Sequence, residues 1–164
     1  MIDWNDPKCK ISDHFTVKEA IWLPEWKRLG NLPEDQLTDE IKDNLVTTFK
    51  WMDSIREWAG APINVHLAFR SMAYHLDLYK RMNEKNVANG KPEVHIPMGS
   101  MHLKGKAVDF DISGMSCDDA KQKILDDDKL EKMSLRMEKN GAGAGWVHLD
   151  DKAVAAGGNR YFIP

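Results

Sequence analysis

A change of hydrophobic period at Gly60 constrains the fold of this 164-residue chain more than any other feature. From Asp39 to about Ala59, the residues Ile41, Leu45, Phe49, Met52, Ile55 and Ala59 recur at spacings of three and four. Lys42, Asp43, Lys50 and Asp53 are left for water. That stripe predicts an amphipathic helix whose aromatic and methionine side chains pack into a core. Gly60 and Pro62 end it. Over Pro62 to Phe69 the period falls to two, with Ile63, Val65 and Leu67 on one face and Asn64 and His66 on the other, as in a half-buried strand. Such a succession points to an α+β domain.

The rest of the chain extends the pattern. A turn at Phe69-Arg70-Ser71 precedes a helix that Ser71 can cap and that runs through Tyr74, Leu78 and Met82 to the breaker Asn89-Gly90-Lys91-Pro92. Ser116-Cys117-Asp118-Asp119 resembles a capping box with Asp in place of Glu, opening a helix through Ala120 and Ile124. Ala107 to Ile112 and Trp146 to Asp150 read as short strands. The run Asn140 to Gly145 leads into a strand-like segment rather than a helix, so it lacks the geometry of a dinucleotide loop and reads as a tight turn.

No repeat or linker divides the chain, and its 42% apolar residues can fill one core, so residues 1–164 are expected to form a single domain. The net charge of −3 is spread evenly and offers no footprint for nucleic acid or an anionic membrane. Cys9 and Cys117 form no disulfide framework, which fits a reducing compartment. The start, Met1 to Pro7, lacks the basic then apolar order of a secretory signal, and no apolar run would cross a bilayer. Synthesis in the cytoplasm is therefore expected.

Two segments carry candidate chemistry: Ser100-Met-His102-Leu-Lys-Gly105-Lys-Ala107-Val-Asp109 and Trp146-Val-His148-Leu-Asp150. His102, Asp109 and His148 are borderline-soft metal ligands, and three such ligands with an open fourth position are what a hydrolytic zinc needs. His102 and Asp109 would stand roughly 20 Å apart on a regular strand, so they can share an ion only if the chain folds back, which Gly105 permits. Asp109 and Asp111 share a strand face while Phe110 and Ile112 enter the core. His148 and Asp150 likewise share a face, as ligand and orienting partner can.

The full patterns Ser-x-His-x-x-Gly-x-Ala-x-Asp and Trp-x-His-x-Asp, in this order with a helix-bearing insertion between them, resemble the zinc D-Ala-D-Ala carboxypeptidase and peptidoglycan endopeptidase family, the VanX-like peptidases. Ile11 to Ala20 is similar to the family's entry segment, and Ile55 to Ile63 to its helix-to-strand junction. Phe69-Arg70-Ser71 is similar to its substrate-side arginine motif. The resemblance covers most of Ile11 to Asp150. It implies a hedgehog-like α+β fold, helices packed around a small, mainly antiparallel sheet, with His102, Asp109 and His148 holding Zn2+. It also implies that Arg70 faces the substrate or the developing oxyanion, a role its forked guanidinium suits. Ser71 and Ser100 are further substrate-side candidates, although Ser100 can equally cap its loop. Trp146 offers an apolar flank that keeps the site partly dry.

Family members carry a Glu or Asp three residues before the last histidine ligand as general base; here that position is Gly145. Asp150 and Glu138 are the candidate replacements, Asp150 competing with a role in orienting a ligand imidazole and Glu138 with that of a solvated charge beside Arg136 and Lys139. His14, His66, His75 and His95 match no ligand position, though His66 can line the cleft. The activity implied is a zinc-dependent peptidase that cuts an amide in the peptide moiety of bacterial peptidoglycan, as an endopeptidase or a D,D- or L,D-carboxypeptidase. Its partners would be stem peptides, and a monomeric phage lysin reaching the cell wall after release fits this. The alternative is a zinc-stabilised binding or virion structural module that has lost its base.

Overall fold

A computed structural model describes residues 1–139 and 145–163. The glycine run at 140–144, read above as a tight turn, lies outside the described residues. The chain begins with the short helix α1 (Val17–Ile21) and a hairpin of β1 (Trp22–Leu23) and β2 (Arg28–Leu29), followed by the long helix α2 (Asp39–Ala59). Then come β3 (Ile63–Leu67), α3 (Met72–Ala88), β4 (Ala107–Ile112), α4 (Cys117–Asp126) and the single turn α5 (Lys129–Lys132). Strands β5 (Arg136–Glu138), β6 (Val147–Asp150) and β7 (Tyr161–Phe162) complete it.

Local chemistry sets the helix ends. Thr38 accepts a hydrogen bond from the Ile41 amide at 3.3 Å to open α2, and Gly60 closes it with φ +63°. Ser71 caps α3 by accepting from the Tyr74 amide at 3.2 Å, and Ser116 caps α4 by accepting from the Asp119 amide at 3.1 Å.

The expected sheet is present and mixed. Its order is β3-β4-β6-β5-β7, antiparallel except for the β5–β7 pair, which is parallel. Val108, Phe110, Ile112, Met137, Val147 and Leu149 form its inner face and join Phe15, Leu45, Phe49, Met52, Ile55 and Ile124 in one core. Each such side chain contributes roughly 1.5–3 kcal/mol by leaving water. Because side chains alternate along a strand, fixing that inner face leaves Asn64, Asp109, Asp111, His148 and Asp150 on the opposite one.

Two expectations need correction. Asp53, assigned to water, is only 8% exposed, because its carboxylate accepts hydrogen bonds from Ser12 Oγ and the amides of Asp13 and His14. The stripe of α3 is also shallower than its period suggests. Tyr74 and His75 are buried, whereas Leu78 is half-buried and Met82 exposed, so only the first turn of this helix enters the core.

Candidate metal centre

The ligand segment between α3 and β4 is held by the long helix. Met101–Lys104 form a single 3-10 turn closed by Gly105 at φ +66°. Asn44 Nδ2 donates to the Lys104 carbonyl at 3.0 Å, and Thr48 Oγ1 donates to the Gly105 carbonyl at 2.9 Å. A Cβ on Gly105 would lie 2.9 Å from Leu45 Cγ and 3.0 Å from the Ile41 carbonyl oxygen. Glycine is therefore needed twice here, for its backbone conformation and for its close approach to α2. This bend is the fold-back that brings His102 to Asp109.

The three expected ligands meet. Asp109 on β4 pairs in register with His148 on β6, and one ligand atom from each of His102, Asp109 and His148 lies within 4.8 Å of the others. His102 Nδ1 donates to the Ala68 carbonyl at 2.8 Å, which fixes the tautomer and turns Nε2 toward Asp109 Oδ1, 3.3 Å away. His148 presents Nδ1 to the same oxygen at 2.7 Å, and its Nε2 stands 3.4 Å from Asp150 Oδ2. Two imidazole nitrogens and one carboxylate oxygen, nearly buried and convergent, form a donor set that can hold a metal ion.

The charges are arranged accordingly. Burial works against the Asp109 carboxylate, yet His102 and His148 together hold it well below the usual carboxylate range. Burial also works against a charged His148, but hydrogen bonds with Asp109 and Asp150 and the Asp109 charge push it up to about 9. His102 moves the other way, because burial outweighs the Asp109 charge. Asp150 is lowered to about 2: burial is overcome by its bonds with His148 and Arg136. Asp109 and His148 thus pair as opposite charges, while burial favours the neutral form of His102.

Asp150 lies at the second rank of this arrangement. Arg136 on β5 grips it with two bonds, Nε to Oδ1 at 2.8 Å and Nη2 to Oδ2 at 2.7 Å, and the Lys152 amide adds a third at 2.9 Å. At 1% exposure with both oxygens engaged, Asp150 is placed to hold the His148 ring and not to exchange protons with a substrate. The Arg136 guanidinium in turn stacks over Phe162 of β7, 4.1 Å from the ring centre. Glu138 is half-buried on β5 and adds a charge that raises the His148 pKa.

The other expected residues are dispersed around the cluster. The Arg70 amide donates to the His102 carbonyl at 3.1 Å, which ties the arginine motif to the ligand turn. Ser71 is 1% exposed and serves as the α3 cap. Ser100 precedes the ligand turn and makes no capping bond with its side chain. Trp146 is 39% exposed, two residues before His148, and its ring lies 6.1 Å from that of His66.

Two residues that matter here have no motif in the sequence. Arg136 sits on a strand of three residues, too short for its period to declare a face. His75 is fully buried with Nδ1 3.1 Å from Arg70 Nη1, and a histidine one helical turn past the Ser71 cap was the available sign. Compared with known proteins, the chain matches no family model, no curated protein and no solved structure.

Proposed function

We propose that this chain is a zinc peptidase of the VanX-like kind, cutting an amide bond in the peptide moiety of bacterial peptidoglycan. The supporting observation is the buried convergence of His102, Asp109 and His148, in motif order, beside the Arg70 turn. The donor set suits zinc, whose four positions three imidazole and carboxylate ligands leave one short of filled. Held there, zinc would supply Lewis acidity, polarising a carbonyl and making water more acidic.

The chain's own groups do the rest. Asp150 and Arg136 keep the His148 Nε2–H engaged, so that Nδ1 faces the cluster. The Ala68 carbonyl does the same for His102 in the opposite sense, so that its Nε2 faces the cluster. Arg70 brings a permanent positive charge close enough to affect His102, suited to a stem-peptide carboxylate or a carbonyl oxygen gaining charge. The reading carries with it a lysin that acts on the wall as a monomer. No helix among the described residues is long and apolar enough to cross a membrane.

The test is digestion of purified peptidoglycan by zinc-loaded protein, with mass spectrometry of the products to name the bond. New amines that disappear in His102→Ala support the proposal; an inert zinc-loaded protein rejects it. One observation favours a second reading, a metal-stabilised module without catalysis: Gly145 offers no side chain for proton transfer and Asp150 is engaged elsewhere. In that case His102→Ala would lower thermal stability in a protein that hydrolyses nothing.

A further inference from the structure

Amide hydrolysis needs a group that takes a proton from water and gives one to the leaving nitrogen. Neither Gly145 nor Asp150 meets that need. The sheet face that carries the ligands holds another candidate. His66 is the extra residue at the register shift in β3, where Val65 pairs with Phe110 and Leu67 with Asp109. Such bulges re-aim a side chain and recur beside active sites. His66 Nε2 lies 3.4 Å from Asp111 Oδ2 on β4, and its ring packs 6.1 Å from that of Trp146, which leads into β6.

The residues that bracket His66 are each two positions from a ligand. Asp111 follows Asp109 and Trp146 precedes His148, and these two strands run antiparallel with Asp109 opposite His148. A step of two residues along a strand is about 7 Å. His66 therefore stands one step along the sheet from the cluster, on the same face, with 44% of its side chain open to solvent. That spacing admits a scissile amide between the two. Asp111 Oδ1 is buried without a hydrogen-bond partner among the described residues, and Oδ2 is the oxygen that faces His66.

We propose that His66 is the proton-transfer residue of the site and that Asp111 is its positioning residue; this rests on the peptidase reading above. Asp111 holds the Nε2–H tautomer, leaving the Nδ1 lone pair as base. His66 Nδ1 takes a proton from water as the water oxygen bonds to the amide carbon. The C–N bond then breaks, and the same proton passes from His66 to the departing nitrogen. Amide and water become carboxylic acid and amine, with His66 restored.

Zinc-loaded wild type, His66→Gln and Asp111→Asn are compared on purified peptidoglycan, with zinc affinity by calorimetry, thermal stability, and the His66 tautomer by nitrogen-15 NMR. The expected result is a fall in turnover of about 10²- to 10⁴-fold for His66→Gln with zinc affinity and melting unchanged. The NMR should show Nε2–H in the wild type and lose that preference in Asp111→Asn. A His66→Gln protein within threefold of wild type overturns the role while leaving the peptidase reading intact, as does an Nδ1–H tautomer in the wild type. An inert wild type rejects the peptidase reading itself, and the role of His66 with it.

Discussion

Arg70 Nη1 and His75 Nδ1 lie 3.1 Å apart in the interior, and the imidazole is the only side chain hydrogen-bonded to this guanidinium among the described residues. Arg70 Nε has no hydrogen-bond partner among the described residues. Burial, then the Arg70 charge and His102, lower the His75 pKa to about 4, so the ring is neutral at ordinary pH and its Nδ1 accepts from the arginine. His75→Leu removes that acceptor and should cost about 1–3 kcal/mol in urea unfolding, the range for a buried donor left unpaired. His75→Gln, which keeps an acceptor, should recover part of it.

The same histidine gives a pH dependence of known sign. Its folded pKa, about 4, is below the ordinary 6.5. Between those values the unfolded chain binds a proton that the folded one does not, so acid favours unfolding. The contribution is intact above pH 6.5 and is lost as pH falls through about 4. Melting curves from pH 7 to pH 4 should show a shallower decline for His75→Gln than for wild type.

Zinc should raise the melting temperature and chelation should reverse the rise. At zinc one hundred times the dissociation constant, the gain is about 2.7 kcal/mol. Calorimetric scans of His102→Ala with and without zinc should superimpose.

Arg136→Met strands the Asp150 charge in a nearly dry setting. Removing one partner of such a pair costs about 3–5 kcal/mol, and disturbing a ligand's orienting partner lowers metal affinity about 10- to 100-fold. Adding Asp150→Asn should return part of the stability and little of the affinity, measured by denaturation and zinc titration.

Gly105→Ala places a methyl group against Leu45 and the Ile41 carbonyl at a backbone angle that alanine rarely adopts. A loss of about 1–3 kcal/mol is expected. Because the ligand turn would move relative to α2, zinc affinity should fall with it. Gly90→Ala is the comparison: φ is also positive there, but nothing lies within 4 Å of the new methyl group.

The features legible in the sequence were those long enough to repeat a period. Helix α2 runs for 21 residues and β4 alternates for six, so their inner faces, and with them the position of Asp109, are read directly. Convergence of the ligands was legible as a requirement on Gly105. The hairpin β1–β2 and the strands β5 and β7 are two or three residues long, too few to show alternation, and Arg136 was missed with them. Asp53 was misread because its partners come from the loop at Ser12 to His14, some forty residues away. His66 was seen as a face residue, but only the register shift shows that it is brought between Asp111 and Trp146.

Asp109 and His148 are 39 residues apart in the chain, and that interval contains α4, α5 and β5. An ion bridging them would turn the interval into a closed ring, restricting the unfolded chain much as a covalent crosslink does. Ring-closure entropy grows only with the logarithm of length, about 0.6 kcal/mol for each doubling. Apart from Arg136 and the core positions it contains, the segment between the two ligands can therefore lengthen or shorten at small thermodynamic cost, provided that β4 and β6 still meet in register. Changes of length gathered in its loops would alter what surrounds the cluster while leaving the meeting of Asp109 and His148 in place.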